Sequence, residues 1–316
     1  PIYTEITAGD AIAALQTEIT LEPDEEKDVV FFLGVVEKND DYENAAAKLA
    51  DKYRDVETVN AEFTTLKRFW NNYTRAVQVN TPDDDMNTML NVWNQYQTSV
   101  TFLFSRDASY YHGGLLFGRG YRDSCQDILG PAIQQHDWIR ERIREMSTYQ
   151  FSDGSTFHLY YPLTGGGVRT GHSDTPLWLP LAIMAYLKET GDFDFLKQVA
   201  KFHDKEEGSI LEHLYRAIDF TLANLSERYL AKFGPGDWND TLDYLGRKGK
   251  GESIWVSMFL AYILKETVKM CQMIGETERE KAYQDEYNKV SAAINEHCCS
   301  GTFNSLAESI AASSGF

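Results

Sequence analysis

The chain has no long uncharged apolar run, no basic stretch followed by an apolar one near its first residues, and few cysteines. The first absence gives no transmembrane helix by length. The second gives no signal peptide, and the expectation is a cytoplasmic protein. The four cysteines, Cys125, Cys271, Cys298 and Cys299, show no metal-ligand spacing, and adjacent Cys298 and Cys299 make a poor disulfide framework. Reduced thiols are expected, and no metal site. Basic residues are also short. Thirty Lys and Arg stand against 48 Asp and Glu, a net charge of −18. Such a surface does not suit phosphate neutralisation, so neither nucleic acid nor an anionic membrane is an expected partner. No Gly-x-Ser-x-Gly elbow, no Gly-Lys-Ser/Thr phosphate loop and no histidine pair at metal spacing occurs. At 316 residues and 43% hydrophobic, the chain has the length and composition for a real core.

Two strands are expected at the start, over 13–21 and 29–33, separated by the polar turn Glu22-Pro23-Asp24-Glu25-Glu26. Two strands make no stable sheet alone. Residues 1–38 are therefore read as the tail of a β-domain. Residues 39–80 are read as a helical linker, beginning with an Ala- and Lys-rich helix from Tyr42 to Tyr53. From residue 81 the periodicity is helical. Met86, Met89, Leu90, Trp93, Tyr96, Gln97 and Val100 recur at helical spacing over 84–104. Pro131 is expected to open a helix carrying Ile133, Trp138, Ile139, Ile143 and Met146. The stretch 177–187 is apolar nearly all round. Leu211, Leu214, Ile218, Leu222 and Leu225 form a stripe. The last two helices are expected over 254–274, capped by Gly275, and over 276–297.

Three connections differ in character, being rich in Gly, Asp, Arg and aromatics: 118–130, 164–176 and 233–243. Successive helical hairpins place every second connection at the same end of an assembly, so all three are expected to meet on one face. In the last of them, Asp237, Asp240 and Asp243 crowd around Trp238. Crowded carboxylates beside an apolar ring suit a carboxylic acid that stays protonated near neutrality, as glycoside chemistry requires. The Ca²⁺-loop pattern fails, because Thr241 and Leu242 fall where it needs Asp or Asn and then Gly. By spacing alone, a solvated Asp/Asn turn fits as well as a carboxylate site. In the first connection, Arg119, Arg122, Asp123, Gln126 and Asp127 suit paired hydrogen bonds to vicinal hydroxyls. An internal salt-bridge network fits them equally. His172, in the middle connection, has no second histidine at metal spacing, and that connection reads equally as a loop over a site or a plain connector.

The motifs decide between these readings. YRDSCQD (121–127), SDTPLWL (173–179) with AYLKETGD (185–192), and GDWND (236–240) together resemble the cellobiose and chitobiose phosphorylase family, glycoside hydrolase family 94. TPDDDMNTMLNVWNQYQ (81–97) resembles the start of that family's catalytic domain. LQTEITLEPDEEKDVVFFLGVV (15–36) resembles the last strands of its β-sandwich. The resemblance runs in order from Ile12 to Cys298. It implies an (α/α)6 barrel behind a β-sandwich and linker helices, with 81–316 as the N-terminal part of the barrel. It implies reversible inverting phosphorolysis of a β-glucosidic disaccharide, with inorganic phosphate as co-substrate and no cofactor.

By the same resemblance Asp240 is the general acid, Trp238 and Asn239 line the sugar site, and Arg122 and Asp123 bind the non-reducing sugar. Arg119 is the neighbouring arginine, and Gln126 and Asp127 complete the substrate set. The expected assembly of the full-length parent is a homodimer. The family continues beyond what is matched here, and its phosphate-binding loops are expected outside this chain. The helices counted are too few to close the ring, so the all-apolar helix at 177–187 is expected to lack neighbours on one side. The alternatives are an inverting hydrolase with Asp123, Asp127 or Asp174 as base, and a catalytically silent sugar-binding fragment.

Overall fold

Helix boundaries follow capping chemistry. Ser253 accepts a hydrogen bond from Val256 N at 3.0 Å and starts the helix Ile254–Ile274. Gly275, at φ 81°, ends it in the left-handed conformation that glycine adopts without strain. The helix Thr277–Cys298 follows at once. In the computed structural model, residues 14–36, 41–104, 118–204, 206–240, 242 and 244–298 are described. The chain divides into two compact units, residues 1–72 and 73–316.

The first unit holds α1 (Tyr42–Lys52) and most of α2 (Val56–Arg75). The two strands expected over 13–21 and 29–33 are not formed among the described residues. Residues 14–36 make only the turn in which Glu25 N donates to Glu22 O, 3.0 Å. Leu15, Phe31, Leu33 and Val35 are exposed. A strand needs a neighbour for its backbone donors and acceptors, and no described segment provides one.

The second unit is mainly helical. α3 (Asp84–Thr88) runs through a π-helical turn, Met89–Trp93, into α4 (Asn94–Phe104). Buried Gln95 serves the irregular backbone, its Nε2 donating to the carbonyls of Asn91 (3.0 Å), Val77 (2.7 Å) and Thr74 (2.9 Å). A short strand β1 (Arg119–Gly120) leads into α5 (Tyr121–Asp127). Pro131 does not open a helix. Its carbonyl accepts from Gln134 N and Gln135 N in a turn, and α6 begins five residues on, at His136, and ends at Thr148.

Strands β2 (Leu159–Tyr161) and β3 (Gly166–Val168) complete an antiparallel sheet ordered β1-β2-β3, with Arg119 opposite Tyr160 and Tyr160 opposite Gly167. A 3-10 turn, Thr175–Leu177, enters α7 (Trp178–Thr190). A second 3-10 turn, Phe193–Lys197, and the ribbon β4 (Val199–Lys201)–β5 (Glu207–Ser209) lead to α8 (Ile210–Ala223). α9 (Ile254–Ile274) and α10 (Thr277–Cys298) form a closely packed hairpin. Among the described residues no helix is long and apolar enough to cross a membrane.

α7 sits at the centre. It packs against α5, α6, α8 and α9. Leu177, Leu179, Ala182 and Ile183 are fully buried, and Trp178, Met184, Tyr186 and Leu187 nearly so. The expectation of an uncovered side therefore fails for this helix, because four neighbours surround it. Its apolar surround is satisfied within the chain. Partners in this core include Tyr121, Ile139, Ile143, Leu214, Ile218, Leu260 and Ile263.

Candidate active site

The three Gly- and Asp-rich connections are joined at one arginine. Arg122 Nη1 donates to Asp174 Oδ2 at 3.3 Å and to the Asp237 carbonyl at 3.4 Å. Its Nη2 donates to Asp240 Oδ1 at 2.8 Å. The partners lie 52 and 118 residues away in sequence. Asp174 is fully buried, the Arg122 side chain is 12% exposed and that of Asp240 is 64% exposed. The guanidinium thus spans from core to surface, and its planar fork suits two carboxylates at once.

Each contributor is fixed locally. Tyr121 is fully buried, its N donating to the His158 carbonyl at 3.0 Å, so β2 holds the start of α5. Ser124 Oγ and Tyr160 OH, 2.9 Å apart, add a second tie. Asp123 folds back over Gly120. A Cβ at position 120 would lie 2.3 Å from Asp123 Oδ2, so a side chain there would push the Asp123 carboxylate aside. Asp174 precedes the 3-10 turn, and Trp178 Nε1, one turn further, donates to its Oδ2 at 2.8 Å.

The loop 236–240 is anchored twice. Asp237 is buried, and its Oδ1 accepts from Asn239 N (2.7 Å) and Nδ2 (3.1 Å). Its Oδ2 accepts from Ser253 Oγ at 2.5 Å, which ties the loop to the N-terminus of α9. On the other side Ser173 N donates to the Gly236 carbonyl (3.0 Å), and Ser173 Oγ to that of Phe233 (3.0 Å).

The structure sorts the predicted residues into distinct roles. Asp237, expected as one of several crowding carboxylates, is an anchor whose carboxylate accepts three hydrogen bonds, two from Asn239 and one from the α9 cap Ser253. Asp243 lies outside the described residues. Arg122 and Asp240 form the ion pair. Trp238 is 46% exposed and stacks on Trp255, with centroids 5.7 Å apart and planes at 17°. Trp255 in turn packs on Phe259 and Trp178, so the outer ring has a rigid aromatic support. Asn239 shapes the loop through Asp237. Arg119 lies in β1 opposite Tyr160. Gln126 and Asp127 line a polar groove of about 380 Å³ with Asn94, Gln97, Thr98, Thr101 and Gly130.

Several contributors escaped the sequence reading. Asn94, Thr98 and Thr101, which with Gln97 form a polar i, i+3, i+4, i+7 stripe on α4, were hidden by the apolar stripe. Ser253 before Ile254-Trp255-Val256 carries an N-cap signal. The pairing of His158 with His172 has none. Their rings stack at 4.0 Å beside the arginine, and His172 Nδ1 is hydrogen-bonded to Thr170 Oγ1 at 2.6 Å. Burial, reinforced by His172 and Arg122, pushes His158 down to about 4. Burial likewise lowers His172, with Asp174 and Asp240 opposing. Both rings are neutral at neutral pH. Burial raises Asp174 above the usual carboxylate range, while Trp178 and Arg122 pull it back. Among the described residues no group of three or more His, Cys, Asp or Glu is arranged to hold a metal ion.

Comparison with known proteins places this geometry. A family model described as the glycosyl hydrolase 94 superfamily catalytic domain matches residues 69–307, and the glycosyl hydrolase 94 supersandwich domain matches 3–56. The chain belongs to the glycosyl hydrolase 94 superfamily. It is 34% identical to the cyclic beta-(1,2)-glucan synthase NdvB of Rhizobium meliloti, over 81% of this chain and 9% of that protein. It is 30% identical to solabiose phosphorylase of Paenibacillus borealis, over 91% of this chain and 35% of that protein. It is 28% identical to N,N'-diacetylchitobiose phosphorylase of Vibrio proteolyticus, over 92% of this chain and 38% of that protein. The chain therefore spans little more than a third of the length of these phosphorylases. Within the glycosyl hydrolase 94 catalytic match fall all three connections that meet at Arg122.

Proposed function

We propose that this chain carries the acid-bearing part of the active site of an inverting glycoside phosphorylase built on an (α/α)6 barrel. Asp240 protonates the glycosidic oxygen of a β-linked disaccharide while inorganic phosphate attacks the anomeric carbon from the opposite face. The products are an α-sugar 1-phosphate and the acceptor sugar. The observation that carries the reading is the position of Asp240, an exposed carboxylate where the three connections meet, beside the Trp238 platform.

Direct displacement by phosphate needs no enzymic base, whereas an inverting hydrolase needs a second carboxylate that activates water across the sugar ring. Two carboxylates beside Asp240 do not suit that task. Asp174 is fully buried, and both oxygens of Asp237 are engaged. Arg122 and Asp123 are proposed to bind the non-reducing sugar, with Trp238 beneath its apolar face. Arg119, Gln126, Asp127 and Asn239 complete the proposed substrate set. The 34% identity to a β-1,2-glucan synthase supports a second reading of the substrate, a β-1,2-linked glucan rather than a free disaccharide.

The test is phosphate-dependent release of sugar 1-phosphate by the full-length protein, screened over β-linked disaccharides and β-1,2-glucan. Asp240→Asn is expected to lower turnover about 10²–10⁴-fold, with substrates carrying activated leaving groups less affected. Near-normal turnover of the variant on a natural disaccharide removes Asp240 from the role. Sugar release independent of phosphate assigns the site to a hydrolase.

A further inference from the structure

A carboxylate with no exposed surface costs several kcal/mol unless it is well paired. Asp174 is such a group, and its pairing is lopsided. Oδ2 takes both Trp178 Nε1 (2.8 Å) and Arg122 Nη1 (3.3 Å). Oδ1 is buried with no hydrogen-bond partner among the described residues. The fold alone does not ask for this charge. An asparagine carbonyl would also accept the Trp178 hydrogen bond, more weakly. What asparagine lacks is the full negative charge that holds a guanidinium from the core side.

Of the other two partners of Arg122, the Asp237 carbonyl is neutral and 3.4 Å away, and the Asp240 pair lies at the surface. Asp240 is 64% exposed, and ion pairs at that exposure hold a side chain poorly. We propose that Asp174 is a positioning residue that fixes the Arg122 guanidinium from its buried side and so keeps Nη2 against Asp240. The surrounding charges are consistent with that task. Arg122 faces it from α5 and His172 from its own segment, while Asp123, Asp237 and Asp240 bear on the two stacked histidines, His158 and His172. Both histidines are neutral near pH 7, so Arg122 is the cation that answers Asp174.

Burial also raises Asp174. On acidification it therefore takes up its proton ahead of an ordinary surface carboxylate, and its hold on Arg122 loosens. That predicts an acid limb in the activity profile that belongs to Asp174.

The kinetic arm of the test rests on the phosphorylase reading; the structural arm does not. In the full-length protein, Asp174→Asn is expected to lower kcat/KM about 10- to 100-fold, the scale of a lost charge-assisted hydrogen bond, and to abolish the acid limb. Trp178→Phe keeps the charge but removes one donor to it, so the limb is expected to move to higher pH. Unchanged kcat/KM and an unchanged limb in Asp174→Asn overturn the proposal. If that variant does not fold, an unmoved limb in Trp178→Phe overturns it instead. If the wild type shows no phosphorolysis at all, the functional reading falls, and the positioning role is judged by a crystal structure of Asp174→Asn. Arg122 withdrawn from Asp240 supports it; Arg122 in place refutes it.

Discussion

Replacing Arg122 by methionine removes the guanidinium and keeps much of the side chain's apolar bulk. The two ends of the lost bridge differ in weight. The Asp240 end lies at the surface, 64% exposed, and such pairs contribute about 0–1 kcal/mol. The Asp174 end is fully buried, and stripping one partner from a buried pair costs about 3–5 kcal/mol. The expected loss at pH 7.5 is therefore about 3–5 kcal/mol, nearly all from Asp174. Its pH dependence is the sharper test. Asp174 is already raised above 3.8 in the folded protein, and loss of Arg122 raises it further. Between 3.8 and the raised value the folded state binds more protons than the unfolded one, so stability falls as pH rises. The deficit of Arg122→Met is thus largest above the raised value and shrinks as pH drops toward 3.8. Urea unfolding followed by far-ultraviolet circular dichroism at pH 7.5 and pH 5 measures both. A deficit under 1 kcal/mol, or one equal at the two pH values, refutes the reasoning.

Two further outcomes are expected. Gly236→Ala places a Cβ 2.6 Å from His172 Nε2, so either the acid loop or the imidazole stack must shift. A stability loss of about 1–3 kcal/mol is expected, with turnover falling as Asp240 moves; wild-type turnover and melting temperature in this variant would show that the loop is not clamped. His213 is fully buried between Gln150 and the Ala200 carbonyl, and burial lowers it from 6.5 to about 4. A depressed histidine gives stability that is full above 6.5 and lost as pH falls toward 4, here about 3 kcal/mol. His213→Gln is expected to flatten the stability profile over that window, and an unchanged slope in urea unfolding excludes His213 as its source.

The helices were legible where period and punctuation agreed. α9 carries an apolar pattern over 254–274 closed by Gly275, and the observed helix ends there. α7 was legible as buried, but its number of neighbours was not, since periodicity reports how much of a helix is covered and not by what. Pro131 misled because proline suits a tight turn as well as a first helical position. The strands expected near the start showed the right composition, yet composition cannot supply the pairing partner a strand needs.

At the site, glycine and charge density marked the connections, and hairpin logic brought them toward one face. The meeting point itself was not legible. Asp174 carries no sign in sequence that it is fully buried, and its partner Arg122 is 52 residues away. His172 stood out in its connection, but its stacking on His158 was not legible, because it depends on how β2 and a later loop approach each other.

One arginine joining three distant loops also bears on how this site can be re-engineered. The acid loop is not a separable module. Its backbone hangs on Ser173, its buried aspartate on Ser253, and its exposed carboxylate on Arg122. A transplanted 236–240 segment would reach a new scaffold without its guanidinium, and the scaffold would gain a carboxylate with nothing to orient it. The smallest portable unit is the set of three loops with the first turns of α5, α7 and α9. If Trp238 lines the sugar site as proposed, substrate range is best altered from the surface inward, at its exposed face, where changes leave that shared joint untouched.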